Sequence, residues 1–97
     1  MPSYVALLDW TEQGIRGVRE SLDRKEAAVR HMGELGVRLT DIRWTLGAHD
    51  VVCFLEAPDD ETLAAALLGV ASLGNVRTTT MRAFTLDEMR AVLSKVP

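Results

Sequence analysis

The chain is short of the residues that carry most protein chemistry. Cys53 is its only cysteine, so no internal disulfide can form. In the run Val51-Val52-Cys53-Phe54-Leu55 a lone thiol reads as a small buried hydrophobe. Only two histidines occur, His31 and His49, and no His, Cys or carboxylate pair has the spacing of a zinc site. There is no nucleophile elbow, phosphate loop or dinucleotide fingerprint. Gly14-x-x-Gly17 follows an apolar run but has nothing else of such a pattern. The 11 basic residues are scattered and outnumbered by 14 acidic ones, for a net charge of −3. Without a basic stripe to track phosphates, nucleic acid is not an expected partner. No apolar run is long enough for a bilayer, and Met1-Pro2-Ser3-Tyr4 lacks the basic segment of a secretory leader. These absences lead to the expectation of a cytoplasmic, reducing location, with no metal, no cofactor and no membrane contact.

What is present is patterned. At 97 residues the chain fits one domain, residues 1–97. A domain this small buries roughly 60–65% of its unfolded surface, so it gains from self-association. Tyr4 to Asp9 is a short Val- and Leu-containing run, apolar on both faces, as in a central strand. Ile15, Val18, Leu22, Val29 and Met32 then recur at helical spacing as one apolar stripe. Thr11 suits an N-cap with Glu12 beside it. Gly14 and Gly17 weaken the first segment, and Ser21 before Asp23 resembles a second cap. The expectation is a short helix running into a longer one, ended by Gly36 as a left-handed C-cap.

Val37 to Leu46 mixes charged and apolar side chains, as on a half-exposed strand. The turn Gly47-Ala48-His49-Asp50 joins it to the apolar strand Val51 to Glu56, which makes an antiparallel hairpin. Ala57-Pro58-Asp59-Asp60-Glu61 is a helix start with acidic residues at the positive end of the dipole. Leu63, Leu67, Val70 and Ala71 form the buried stripe of that helix, and Gly74 closes it. Asn75 to Phe84 is a fourth strand with a polar row. Thr85-Leu86-Asp87-Glu88 is a capping box that opens a C-terminal helix lined by Leu86, Met89, Leu93 and Val96.

The strand polarities select a topology. Strands one and three are apolar on both faces and belong in the centre, whereas strands two and four carry charge and hydroxyls and belong at the edges. With helices crossing over after strands one and three, right-handed crossovers give the order 4-1-3-2. The fold class is therefore α+β: a ferredoxin-like βαββαβ unit with a four-stranded antiparallel sheet plus a C-terminal helix. Two crossover helices cover only one face of such a sheet. The other face keeps apolar side chains that a monomer rarely exposes, so either the C-terminal helix or a second copy must cover it. Self-association through the sheet face, as a homodimer or higher oligomer, is the expectation.

Several stretches resemble the GYD domain family, small proteins of the dimeric α/β-barrel type. They are Gln13-Gly14-Ile15, Thr45-Leu46-Gly47-Ala48-His49-Asp50, Glu56-Ala57-Pro58-Asp59-Asp60-Glu61-Thr62, Ser72-Leu73-Gly74-Asn75-Val76-Arg77-Thr78 and Arg82-Ala83-Phe84-Thr85. Together they take in nearly the whole chain. One departure is His49, where the family's motif usually has tyrosine before the aspartate. The resemblance implies the barrel-type fold and assigns no reaction.

Candidate chemistry follows from a few side chains. His49 beside Asp50 could act as an acid–base group with its orienter, although Gly47 and Asp50 equally serve a tight turn. Tyr4, Trp10 and Trp44 could line a pocket for a flat ligand, or fill a core or interface. Thr78, Thr80 and Arg82 share one strand parity, so Arg82 could hold an anionic group beside the two hydroxyls. Polar dressing of an edge strand explains the same row. The sequence thus supports a self-associating small-molecule-binding module without an evident catalytic motif. A cofactor-independent enzyme of oxygenase, isomerase or cyclase type, acting on a flat organic substrate, is the alternative. A purely structural assembly protein is a third.

Overall fold

The computed structural model describes all residues, Met1–Pro97, as four strands and four α-helices. In order these are β1 (Ser3–Trp10), α1 (Glu12–Arg16), a 3₁₀ turn (Val18–Glu20), α2 (Ser21–Glu34), β2 (Arg38–Trp44), β3 (Val51–Glu56), α3 (Asp60–Ser72), β4 (Val76–Ala83) and α4 (Leu86–Leu93). The strands form one antiparallel sheet ordered β2-β3-β1-β4, which is 4-1-3-2 read from the opposite edge. The apolar strands β1 and β3 are central, where both sides of each ladder are paired. No helix is long and apolar enough to cross a membrane.

Local chemistry explains the element ends. Thr11 caps α1 by accepting the Gly14 amide, and its own hydroxyl donates to the Gly74 carbonyl at 2.5 Å. This stitches α1 to the turn before β4. Gly14 is obligatory at that joint, since a Cβ there would lie 1.9 Å from the Asn75 carbonyl oxygen. Asp59 caps α3 through the Thr62 amide at 2.7 Å, and the Thr62 side chain, with that amide, holds its carboxyl below the usual carboxylate range. Thr85 and Glu88 complete the reciprocal capping box of α4. Ser21 is not a cap, contrary to the expectation: it already has helical dihedrals, and its hydroxyl donates back to the Val18 carbonyl.

A bulge at Thr40 resets the register of β2. Leu39 faces Leu55 and Ile42 faces Cys53, so a step of three positions along β2 matches a step of two along β3. Thr40 is the extra residue, and its hydroxyl donates to the Phe54 carbonyl at 3.1 Å. The shift turns Leu39, Ile42 and Trp44 all toward the helices, which strict alternation would have split between two faces.

The core lies between the sheet and the helices. Tyr4, Ala6, Cys53 and Leu55 meet Leu63, Ala66 and Leu67 of α3 and Met32 of α2. The α2 stripe departs from the expected one. Of Ile15, Val18, Leu22, Val29 and Met32, only Met32 is buried, and Leu22 is 64% exposed. The helix is rolled so that Lys25, Ala28 and Met32 turn inward instead. Rotation of a helix in a layer answers to its neighbours as well as to its own stripe.

The molecule is open for its size. Its accessible surface is 6595 Å², against roughly 5,500 Å² for a typical monomer of the same mass. Its radius of gyration is 14.5 Å, against about 12.5 Å for a compact domain of this length. Two regions account for the excess. The helix-free face of the sheet leaves Phe54 42% and Met81 46% exposed. α4 does not fold across that face: Leu86, Met89, Val92 and Leu93 all remain exposed.

Candidate functional site

A groove of about 390 Å³ opens between the helix layer and the sheet. It exists because α2 and α3 touch only sparsely along their length. Ala27 and Ala28 on one helix and Ala65, Ala66 and Gly69 on the other are too small to fill the space between them. The floor is the helix side of three strands: Ala6, Leu8 and Trp10 of β1, Cys53 and Leu55 of β3, and Leu39, Ile42 and Trp44 of β2. Of its 25 lining residues 19 are hydrophobic, the composition of a site that recognises shape and apolar area. Cys53 offers no nucleophile there, because burial pushes its thiol up to about 11 and only the thiolate attacks.

The candidate side chains do not converge on this groove. Trp10 and Trp44, one at the end of β1 and one at the end of β2, line it together. They therefore belong to the helix side of the sheet and not to the face left bare. Tyr4 is buried under the start of α3, where its hydroxyl donates to Asp60 Oδ1. That bond, with burial and the Asp60 charge adding to it, raises the phenol to about 12, while Arg82 pulls the other way. Thr78 and Thr80 stand on the helix side of β4, opposite Leu8 and Ala6, but neither lines the groove.

Arg82 is occupied elsewhere. Its guanidinium lies 5.6 Å from the Tyr4 ring centre and 4.7 Å from that of Phe84. It donates to the Ser3 carbonyl and to Glu88 Oε2, both at 3.0 Å. Glu88 also accepts the Thr85 amide, which with Arg82 holds its carboxyl below the usual range. Arg82 is thus a joint between the β1–β4 sheet end and the first turn of α4, and not a free anion anchor.

His49 and Asp50 separate, as neighbours on an extended chain do. His49 Nδ1 lies 3.1 Å from Asp9 Oδ1, and Asp9 shares the helix-free face with Val5 and Leu7 by strand parity. The Asp50 carboxylate instead accepts the Trp10 amide at 3.0 Å, and the Asp50 amide donates to the Leu8 carbonyl at 3.0 Å. Asp50 therefore fastens the 45–50 turn onto β1. It does not orient His49; Asp9 is the carboxylate in reach.

Sequence reasoning missed the residues that make the groove. Lys25, Ala28 and His31 of α2 line it, yet the apolar stripe of that helix pointed elsewhere. The readable signal was the parity switch between Leu39 and Ile42, which only a bulge reconciles with one buried face.

Three comparisons bear on this geometry. The family model of the GYD domain matches residues 4–93. A Thermus thermophilus protein described as a glutamine synthetase and cystathionine beta-lyase binding protein is 33% identical over 94 residues, covering 96% of this chain and 99% of its own. The crystal structure of a Thermus thermophilus protein has the same fold at a TM-score of 0.55 and 24% identity, over 88% of this chain and 95% of that one.

Proposed function

This chain belongs to the GYD domain family, and from that premise we propose that it is a non-catalytic binding module. It pairs with a second copy through the helix-free face of its sheet and admits a small, flat, apolar molecule into the groove beneath α2 and α3. The observation that carries the reading is the groove itself. Its volume of about 390 Å³ falls in the range of ligand pockets, roughly 300–1,000 Å³. Two tryptophans stand in its lining, suited to stacking on a planar ring. An acid–base role for His49 is less favoured, because its partner Asp9 lies on the opposite side of the sheet from the groove.

Pairing is supported by area. The surface in excess of a monomer's is roughly 1,100 Å², shared between the bare face and α4, and one partner in a standard interface contributes about 800 Å². Val5, Leu7, Phe54 and Met81 form the apolar centre of the bare face by register. The ion pairs Arg38–Glu56 and Arg43–Asp41 stand along its β2 edge. An apolar centre with a charged rim is the usual anatomy of a protein contact.

The test uses the chain's own reporters, since both of its tryptophans line the groove. Titration with N-phenyl-1-naphthylamine, a neutral planar probe, should quench tryptophan emission saturably at one site per chain. Ala28→Phe, which fills the groove from α2, should abolish the quenching while the far-ultraviolet circular dichroism stays unchanged. Absence of saturable binding, or binding indifferent to Ala28→Phe, sinks the ligand reading. Light scattering that shows a monomer at micromolar concentration sinks the pairing.

A second reading is favoured by the described role of the Thermus relative: the module docks on another protein through its exposed apolar surface. Purified glutamine synthetase and cystathionine beta-lyase are the direct probes. Co-elution of either with the chain on gel filtration supports this reading, and separate elution of both counts against it.

A further inference from the structure

The charge around the groove tells what its occupant carries. We propose that the groove takes a planar apolar molecule bearing a carboxylate, with the carboxylate held at the α2 wall by Lys25 and His31. The proposal rests on the ligand-binding reading above and adds the chemical class of the ligand.

The chain as a whole is acidic, at net charge −3. The titratable charged side chains in the groove lining are nevertheless Arg24, Lys25 and His31, all basic, with no Asp or Glu among the lining residues. All three lie on α2 within two turns, so one wall is cationic and the facing floor is apolar. Arg24 is committed locally: its guanidinium donates to the Gly14 carbonyl at 3.1 Å and the Gly17 carbonyl at 2.8 Å. It supplies charge but no free fork. Lys25 is half-buried, and neither it nor His31 enters an ion pair.

A half-buried lysine without a counter-charge is uncommon, because lysine seldom gives up solvent unless it is paired. Snorkelling of its stem toward water explains Lys25 taken singly. It does not explain why every acidic side chain of an acidic protein is kept out of the same lining. Arg24 and Lys25 also stand one turn into α2, which starts at Ser21, at the end where the helix dipole favours an anion. An anionic head at this wall would leave its ring over Trp10 and Trp44. Each element of the lining would then have a partner.

The experiment compares 2-naphthoate with its neutral isostere 2-naphthalenemethanol at pH 8, read by tryptophan quenching. A charge-assisted hydrogen bond contributes about 1.5–3 kcal/mol, so the acid should bind roughly tenfold or more tightly than the alcohol. Lys25→Gln should weaken the acid by about tenfold and leave the alcohol unchanged. His31→Gln should also weaken the acid, by less than Lys25→Gln does, and leave the alcohol unchanged. Equal affinity for acid and alcohol overturns the carboxylate proposal and leaves the groove reading standing. So does a Lys25→Gln loss shared by both ligands. Failure of both ligands to bind overturns the groove reading itself.

Discussion

Along β1, adjacent residues meet different surroundings. Tyr4 and Ala6 are buried under the helices, whereas Val5 and Leu7 point to the bare side and are only partly covered. β3 repeats the contrast: Leu55 is 2% exposed and Phe54 beside it 42%. Both faces of the central strands are apolar, so hydrophobicity does not distinguish them. What differs is whether the rest of the chain reaches across. The crossover helices both land on one side, and α4 leaves the body without covering the other. The contrast teaches that an apolar face and a core are not the same thing: the first is written residue by residue, and the second needs a lid.

The largest expected effect tests whether the helix side carries the stability. Leu55→Ala should cost about 3 kcal/mol, within the usual range of about 2–5 for a buried leucine. Phe54→Ala, one residue away, should cost the isolated chain no more than about 1 kcal/mol. Urea denaturation at a concentration where the chain is monomeric measures both, and equal costs would erase the distinction between the faces.

Closure of the helix side also depends on a backbone contact. Gly14→Ala should destabilise by about 1–3 kcal/mol, because its methyl has no room against the Asn75 carbonyl. Gly33→Ala is the control. It lies in α2 with open space around it, and alanine there should stabilise by about 0.5–1 kcal/mol. Thermal melts of the two variants should move in opposite directions.

The bare face is probed by association and not by folding. Phe54→Asp should leave the melting of a monomer nearly unchanged and shift sedimentation at micromolar concentration from paired to single chains. A variant that stays paired would move the contact to another surface, such as the exposed stripe of α4.

The last effect, confined to alkaline pH, concerns Tyr4 on the helix side. Its phenol titrates near 12 in the folded chain, above its ordinary value of about 10. The raised value means that the folded state favours the protonated phenol. Its contribution is complete below about pH 10 and is lost as pH rises from about 10 to about 12. Stability measured across that window should fall in the parent chain, and Tyr4→Phe should flatten the fall. An equal slope in both chains would assign the alkaline loss to other groups.

Much of the architecture was legible because it rests on local rules. The capping box of Thr85 and Glu88, the Asp59 cap, the turn at Gly74 and the central positions of β1 and β3 each follow from a few neighbouring residues. The candidate site was legible only in fragments. Trp10 and Trp44 were named from their aromatic character, but nothing in the chain says that a bulge at Thr40 turns Trp44 to the same side as Trp10. Tyr4 reads as a ligand or a core group, and Arg82 as an anion anchor or the dressing of an edge strand. The structure instead gives them partners in Asp60 and Glu88, which lie 56 and 6 residues away.

By itself, the sequence determined the order of elements, the polarity of each strand and a sheet with one face to spare. Alternation and periodicity depend only on which side chains follow one another, and so they survive without knowledge of the whole. The tertiary structure alone decided how α2 is rolled, and with it the inward turn of Lys25 and the outward turn of Leu22. It also decided that α2 and α3 stand apart and that His49 meets Asp9. Each of these depends on how far small side chains on one element let another approach. That distance is set by contacts between residues remote in the chain, which no local pattern encodes.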